Sequence, residues 1–241
     1  MAEKLSAEMI SEIQSTIDNL FSLEQSKIDE FCRRLEYIVS FNQLDDSEPV
    51  YKYIILTLAQ YHGMAHRLDK SLVYIEKAYD LAIRTNDKAL ELRARNNRAI
   101  VQFEMGEMYK AVEDWNVILT ETENKGIRIS CYQNLSTVYT YIGQHDKAMD
   151  YLYRIIHDLQ DSSDHNSLGD AYNNLANAYR SLDHPQEALE HYRKALELFT
   201  IADNRQRIAM INSNICLAHI DLKDFETAHE CALNALALTN K

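Results

Sequence analysis

Four regularly spaced asparagines are the residues of this 241-residue chain whose side chains are best placed to bind something. The intervals between them are 37, 40 and 40 residues. Each amide offers one acceptor and two donors, so it can hydrogen-bond both the N–H and the C=O of an extended peptide. Asparagine is a mediocre helix former, which makes its recurrence inside helical patterns informative. These residues, called here the Asn ladder, are Asn97, Asn134, Asn174 and Asn214.

Other groups that could do chemistry are less organised. His62 and His66 have the i,i+4 spacing of a helical metal site, but no third ligand follows. Nucleophile elbows, phosphate loops and dinucleotide fingerprints do not occur in the sequence. We therefore expect no catalytic residue, no metal and no cofactor, and we predict that the protein is not an enzyme.

The cysteines indicate a reduced environment. They show no CxxC spacing, and each lies inside an apolar helical pattern, where a free thiol behaves as a small hydrophobic group. We expect free thiols in a cytoplasmic protein, without disulfides. The four residues are Cys32, Cys131, Cys216 and Cys231.

Composition excludes several classes of protein. Only 5 Gly and 2 Pro occur, too few for the frequent turns of an all-β fold. The net charge of −12 repels phosphate backbones, so a nucleic acid is not an expected partner. No apolar run approaches the ~18–20 residues that span a bilayer, so a membrane is not an expected partner either.

A repeat of about 40 residues organises most of the chain. A small residue recurs at the same phase, and residues four and seven positions later are mostly apolar, which is the spacing of one helix face. Each repeat predicts two helices joined by a short polar turn, and such pairs bury their apolar faces only by stacking. The small residues are Ser71, Ala111, Ala148, Ala188 and Ala228.

This pattern resembles the tetratricopeptide repeat. Within each repeat a small residue stands at the eighth position, Tyr or a similar residue at the eleventh, and Ala at the twentieth. The resemblance implies an all-α, right-handed α-solenoid of antiparallel helix pairs. About five units are expected, at residues 52–88, 92–127, 129–165, 169–205 and 209–240, within a solenoid domain over residues 49–241.

Residues 1–48 do not follow the repeat and predict an N-terminal helical pair that caps the solenoid. One amphipathic helix is indicated by Ile10, Ile13, Ile17, Leu20 and Phe21, and another by Ile28, Phe31, Leu35, Ile38 and Val39. A polar linker from Asn42 to Pro49 marks the boundary.

The resemblance also suggests a role for the Asn ladder. In tetratricopeptide-repeat proteins, an Asn at this sixth position commonly contacts the backbone or terminal carboxylate of a bound peptide. We expect a peptide-binding concave face formed by the ladder together with Arg93, Asn177, Arg180 and Tyr141. Positive charge near Arg93 and Arg128 would suit an acidic ligand group. Alternatively, Arg93, Arg95 and Arg98 pair with acids of the chain such as Glu91 and Glu104.

Two functions agree with these features. The leading hypothesis is a protein-binding or peptide-binding module without an activity of its own. The alternative is the N-terminal sensory region of a larger bacterial signalling protein, with a catalytic domain such as a diguanylate cyclase or kinase beyond Lys241. The apolar last helix also suggests a homodimer, through Ala228, Ala232, Leu233, Leu236 and Leu238.

Overall fold

The computed structural model describes residues 5–41 and 43–239, without the side chains of residue 21 and residues 234–239. Within those ranges it contains twelve α-helices, one short 3-10 turn and no strand. The predicted all-α class is therefore confirmed. None of the described helices is long and apolar enough to cross a bilayer.

Two compact units divide the chain, Met1–Ile118 and Leu119–Lys241. The first unit contains α1 (Ala7–Asp18), the 3-10 turn Leu20–Ser22, α2 (Gln25–Ser40), α3 (Pro49–Met64), α4 (Leu68–Thr85), α5 (Lys88–Glu104) and most of α6 (Met108–Glu121). The second contains α7 (Lys125–Tyr141), α8 (His145–Leu159), α9 (His165–Ser181), α10 (Pro185–Ile201), α11 (Arg205–Asp221) and α12 (Phe225–Thr239).

From α3 onward, the helices are paired as the repeats predict. In the first unit α4 packs against both α3 and α5. In the second unit α8 packs against α7 and α9, and α10 packs against α9 and α11. The second helix of a pair thus contacts its own first helix and the next one. The division into a cap (1–48) and a solenoid (49–241) stays a prediction, as do the five unit boundaries.

Small residues occupy the helix contacts, as their spacing predicts. All five are buried, with exposed fractions of at most 4%. Four residues later, Ile75, Trp115, Leu152 and Tyr192 are also buried, whereas Ala232 at the equivalent place in α12 is exposed. No described helix packs against that side of α12.

At the N-terminus, α1 is shorter than its apolar pattern suggests. It ends at Asp18, and Leu20 is buried from the following 3-10 turn rather than from the helix. Asn19 causes the break, because its side chain donates to the Ser15 carbonyl oxygen at 3.0 Å while its backbone leaves the helical region. Ile13, Leu20 and Leu35 then join the same buried core as α3.

Every helix pair from α3 onward contains the same turn. One residue between the two helices has a left-handed backbone, and the amide of the next residue donates to a carbonyl oxygen five positions earlier at 2.8–3.0 Å. This bond satisfies a carbonyl that the helix end would leave unpaired. The left-handed residues are His66, Gly106, Gly143, Asp183 and Lys223, with φ between 52° and 82°.

Candidate binding face on the first helices

A groove of about 550 Å³ separates α3 from α5 in the first unit. Its floor is apolar and comes from α3 and α4, including Ala59 and Ile75. The buried Ser71 hydroxyl in this floor donates to the Ala59 carbonyl oxygen at 2.7 Å, so it is already satisfied. We call this space the α3–α5 groove.

Two predicted site residues line this groove from α5. Arg93 is exposed and Asn97 is half-buried, and both reach the same space one helical turn apart. Among the described residues neither side chain has a hydrogen-bond or ion-pair partner, so both are free to bind a ligand.

The other two arginines of α5 are engaged in the structure. Arg98 binds both carboxylate oxygens of Asp114 at 2.7 Å, and Asp114 is only 6% exposed. This hydrogen bond raises the pKa of the Arg98 guanidinium above its usual range. Arg95 contacts Glu91 at 3.2 Å and the Tyr79 hydroxyl at 2.8 Å. The alternative expectation of internal ion pairs therefore holds for Arg95 and Arg98, but the structure describes none for Arg93.

In the second unit, two members of the Asn ladder belong to a chain of amides. Asn214 of α11 donates to Asn173 at 2.8 Å, and Asn173 donates to Asn174 at 3.3 Å. Asn173 is the buried link, with 6% exposure, and Asn174 is exposed. The arrangement brings Asn174 and Asn214 onto the same face of the unit.

Two ion pairs join the same helices on either side of the amide chain. Arg180 contacts Asp221 at 2.8 Å, and Arg207 contacts Asp170 at 3.0 Å. The predicted site residue Arg180 therefore already has a carboxylate partner. Burial raises the pKa of the Asp170 carboxyl, and Arg207 offsets part of that shift. These contacts tie α9 to α11.

The remaining predicted site residues have separate places. Asn134 is half-buried on α7, without a hydrogen-bond partner among the described side chains, and Tyr141 at the end of α7 is 70% exposed. Asn177 of α9 accepts a hydrogen bond from the Tyr192 hydroxyl at 2.5 Å, so its side chain packs against α10, the second helix of the same pair. The role of all these residues in binding stays a prediction.

Arg128 has a structural role that its sequence position did not indicate. Its guanidinium donates to the Leu119 carbonyl oxygen at 3.2 Å and to the Tyr132 hydroxyl at 2.6 Å. The bond to Leu119 holds the start of α7 against the preceding segment, and Tyr132 lies one turn further along α7 itself. The positive charge of Arg128 predicted a site for an acidic ligand group. In the structure, its guanidinium instead donates hydrogen bonds within the second unit.

The histidines and cysteines carry no described chemical site. His62 is fully buried, accepts or donates one hydrogen bond with Glu36 at 2.8 Å, and stacks on Tyr74. In the part of the chain that the structure describes, no three ligating side chains are grouped around a space for a metal ion. Burial raises the pKa of Cys32 to about 12 and that of Cys131 to about 11, which favours the unreactive thiol.

Sequence reasoning missed part of the groove. Ile100 and Glu104 of α5 line it together with Arg93 and Asn97, at positions i, i+4, i+7 and i+11. That spacing is a single stripe on a helix and was the signal available in the sequence. Met64 of α3, which is 67% exposed, gave no comparable signal.

The last helix is described only in part. Ala228 is buried and Leu233 is 55% exposed. Leu236 and Leu238, on which the homodimer prediction also rests, lie outside the described side chains. That prediction is untested.

Comparison with known families now identifies the repeats. Models of the tetratricopeptide repeat match residues 129–156, which cover most of α7 and α8, and residues 169–199, which cover most of α9 and α10, with the eighth-position and twentieth-position residues in phase. These two segments are therefore tetratricopeptide repeats, as their spacing suggested. No curated protein sequence matches this chain.

Solved structures share the fold at low sequence identity. BtubC (BKLC) of P. vanneervenii is 17% identical with a TM-score of 0.71, over 98% of this chain and 92% of that one. The apo form of RapI is 11% identical with a TM-score of 0.78, over 97% and 76%. MamA of Desulfovibrio magneticus RS-1 is 17% identical with a TM-score of 0.61, over 78% and 95%. At these identities the likeness concerns the fold alone.

Proposed function

We propose that this protein is a binding module that holds an extended segment of a partner protein along its first helices. A tetratricopeptide-repeat fold is consistent with protein–protein interaction, and this is the general reason for the proposal. The observation that carries it is the α3–α5 groove, in which an apolar floor lies beside the free amide of Asn97 and the free guanidinium of Arg93. Apolar pockets with a few well-placed polar groups are typical binding sites.

The Asn ladder would provide contacts that do not depend on the sequence of the ligand. An extended peptide exposes N–H and C=O groups at a regular rise, and a side-chain amide can satisfy one of each. Asn97 and Asn134 have no described partner, so they are available to a ligand directly. Side-chain pockets such as the groove would then supply the specificity.

A display experiment with a random dodecapeptide library tests the proposal. Selected peptides should bind the wild-type protein, and Asn134→Ala combined with Asn174→Ala should abolish that binding while lowering the melting temperature by no more than a few degrees. The matched control is Asn116→Ala, which removes an exposed asparagine from a second helix and should leave affinity unchanged.

Two results would contradict the proposal. One is a library that yields no binding peptide. The other is loss of binding that circular dichroism attributes to unfolding of the double variant. The role of a regulatory region in a longer signalling protein is a separate prediction, and no observation on residues 5–239 favours it.

A further inference from the structure

The stripe on α5 carries opposite charges at its two ends. Arg93 begins it, Asn97 and Ile100 follow, and Glu104 ends it, all facing the α3–α5 groove. Arg93 and Glu104 are exposed, and the described part of the chain provides no ion-pair partner for either. Arg95 and Arg98 on the same helix are both paired, so the described charged residues of α5 without an ion-pair partner are the two that line the groove.

The length of the stripe determines the distance between its two charged ends. Eleven residues separate Arg93 from Glu104, and at 1.5 Å per residue they lie about 16 Å apart along the helix axis. An extended peptide rises about 3.3 Å per residue, so about five residues of peptide cover this distance. The two charges are too far apart to neutralise one another, since about 16 Å exceeds the Debye length of about 8 Å at physiological salt.

Between the charged ends, apolar side chains line the groove together with the polar Gln60, His66, Ser71 and Asn97. Ile100 is 37% exposed on one wall, Met64 is 67% exposed on the other, and Ile75 lies beneath them. Exposed apolar side chains that face each other across a groove favour insertion of an aliphatic side chain. Asn97, between Arg93 and Ile100, is placed to hold the backbone of the same segment.

We propose that the α3–α5 groove binds an extended peptide segment with an acidic and a basic side chain about five residues apart and an aliphatic side chain between them. The carboxylate pairs with Arg93, the cation pairs with Glu104, and the aliphatic group packs against Ile100 and Met64. This inference rests on the proposed function and specifies the ligand at one of its sites.

Selection with charge-altered variants tests this ligand chemistry. Random dodecapeptides displayed on phage are selected in parallel on the wild-type protein, on Arg93→Glu and on Glu104→Arg. Peptides from the wild-type protein should carry one acidic and one basic residue about five positions apart. Arg93→Glu should select peptides with two basic residues, and Glu104→Arg should select peptides with two acidic residues, whichever direction the peptide runs.

The control is Lys125→Glu, which changes the net charge as Arg93→Glu does but lies on an exposed position of α7. It should select the same peptides as the wild-type protein. A wild-type peptide measured against Arg93→Glu should bind about tenfold more weakly, and against Lys125→Glu with unchanged affinity. All three variants change exposed residues, so circular dichroism should give them the wild-type melting curve.

The outcomes separate the two proposals. Peptides whose charges follow the variants support the groove and its ligand. Peptides that bind but have the same charges on every variant overturn this inference and leave the proposed function in place. Absence of any selected peptide overturns both. Self-association that Arg93→Glu abolishes, measured by sedimentation, would make a second copy the occupant and would also overturn the inference.

Discussion

At the scale of single residues, Asp114 makes a nearly buried ion pair within the first unit. It is nearly buried and neutralises Arg98 through two hydrogen bonds, with Arg95 3.5 Å away. Removing one partner of a buried pair leaves the other charge without compensation, which costs far more than the pair itself contributes. The charge of Arg98 therefore depends on Asp114 for its compensation.

We expect Asp114→Ala to lower the free energy of unfolding by about 3 kcal/mol. The cause is the desolvated guanidinium of Arg98, together with the lost contacts of the carboxylate. Urea denaturation followed by circular dichroism measures the change. Arg93→Met, which alters an exposed arginine of the same helix, is the control and should shift stability by less than about 0.5 kcal/mol. Equal effects of the two variants would refute this account.

His62 should make stability depend on pH. Its ring is buried against Tyr74, Nδ1 has no hydrogen-bond partner, and burial lowers the pKa of the imidazole despite the neighbouring Glu36 carboxylate. Arg67 and Lys70 lower it further. The neutral ring, with Nε2–H donating to Glu36, is therefore the folded form.

The sign of the effect follows from linkage. Below the unfolded-state pKa near 6.5 the unfolded chain binds a proton that the folded chain resists, so stability falls as the pH drops from about 7 to 5. We expect His62→Phe, which retains an aromatic ring beside Tyr74, to lose part of this dependence. Denaturation at pH 7.5 and pH 5.5 measures it, and an unchanged difference between the two pH values would contradict the assignment. His191 in the second unit has a lowered pKa from burial too, so part of the dependence should remain.

At the scale of the elements, different residue types occupy the left-handed position of the recurring turn. Gly106 and Gly143 adopt the left-handed backbone without a steric penalty, whereas Asp183 and Lys223 hold it at φ 63° with a side chain attached. The same hydrogen bond from the following amide forms in all five turns, so the turn tolerates a side chain at the left-handed position.

We expect Lys223→Gly to stabilise the protein by about 0.5–1 kcal/mol and Gly143→Ala to destabilise it by about 1 kcal/mol. Both variants alter the same turn position in the second unit, so each is the control for the other. Thermal unfolding measures both. Changes of the same sign would contradict the role assigned to the backbone conformation.

The helix pairs were largely predictable, because their signals are local. The small residues, the apolar positions four and seven residues later, and polar turns such as Asp183–Pro185 all act within one repeat. The end of α1 was not predictable in this way. The Asn19 side chain donates to a backbone carbonyl oxygen of the helix, while Leu20 still fits the apolar pattern of a continuing helix. Two other contacts were hidden for a different reason: Asp114, which pairs with Arg98, lies on another helix, and Arg128 donates to the backbone carbonyl of Leu119. Glu91, which pairs with Arg95 one turn away on the same helix, was predictable.

At the scale of the whole molecule, we expect each helix pair to have its own local stability rather than one stability common to the whole chain. Stacked helix pairs contact mainly their neighbours, so a local change acts first on the adjacent pairs. Asp114→Ala should therefore reduce the hydrogen-exchange protection of amides in α4 to α6 and leave α9 to α11 near their wild-type rates. Native-state exchange measured by mass spectrometry tests this. Uniform loss of protection would mean that the two units unfold as a single cooperative body.

The chain of side-chain amides in the second unit should affect the enthalpy of ligand binding. Asn174 accepts a hydrogen bond from Asn173, and Asn214 donates one to it, so part of the hydrogen-bonding capacity of both residues is already used within the unit. Asn97 has no such competitor in the first unit. For a peptide bound at either unit, calorimetry should then show a larger loss of favourable enthalpy when Asn97 is replaced by Ala than when Asn174 is.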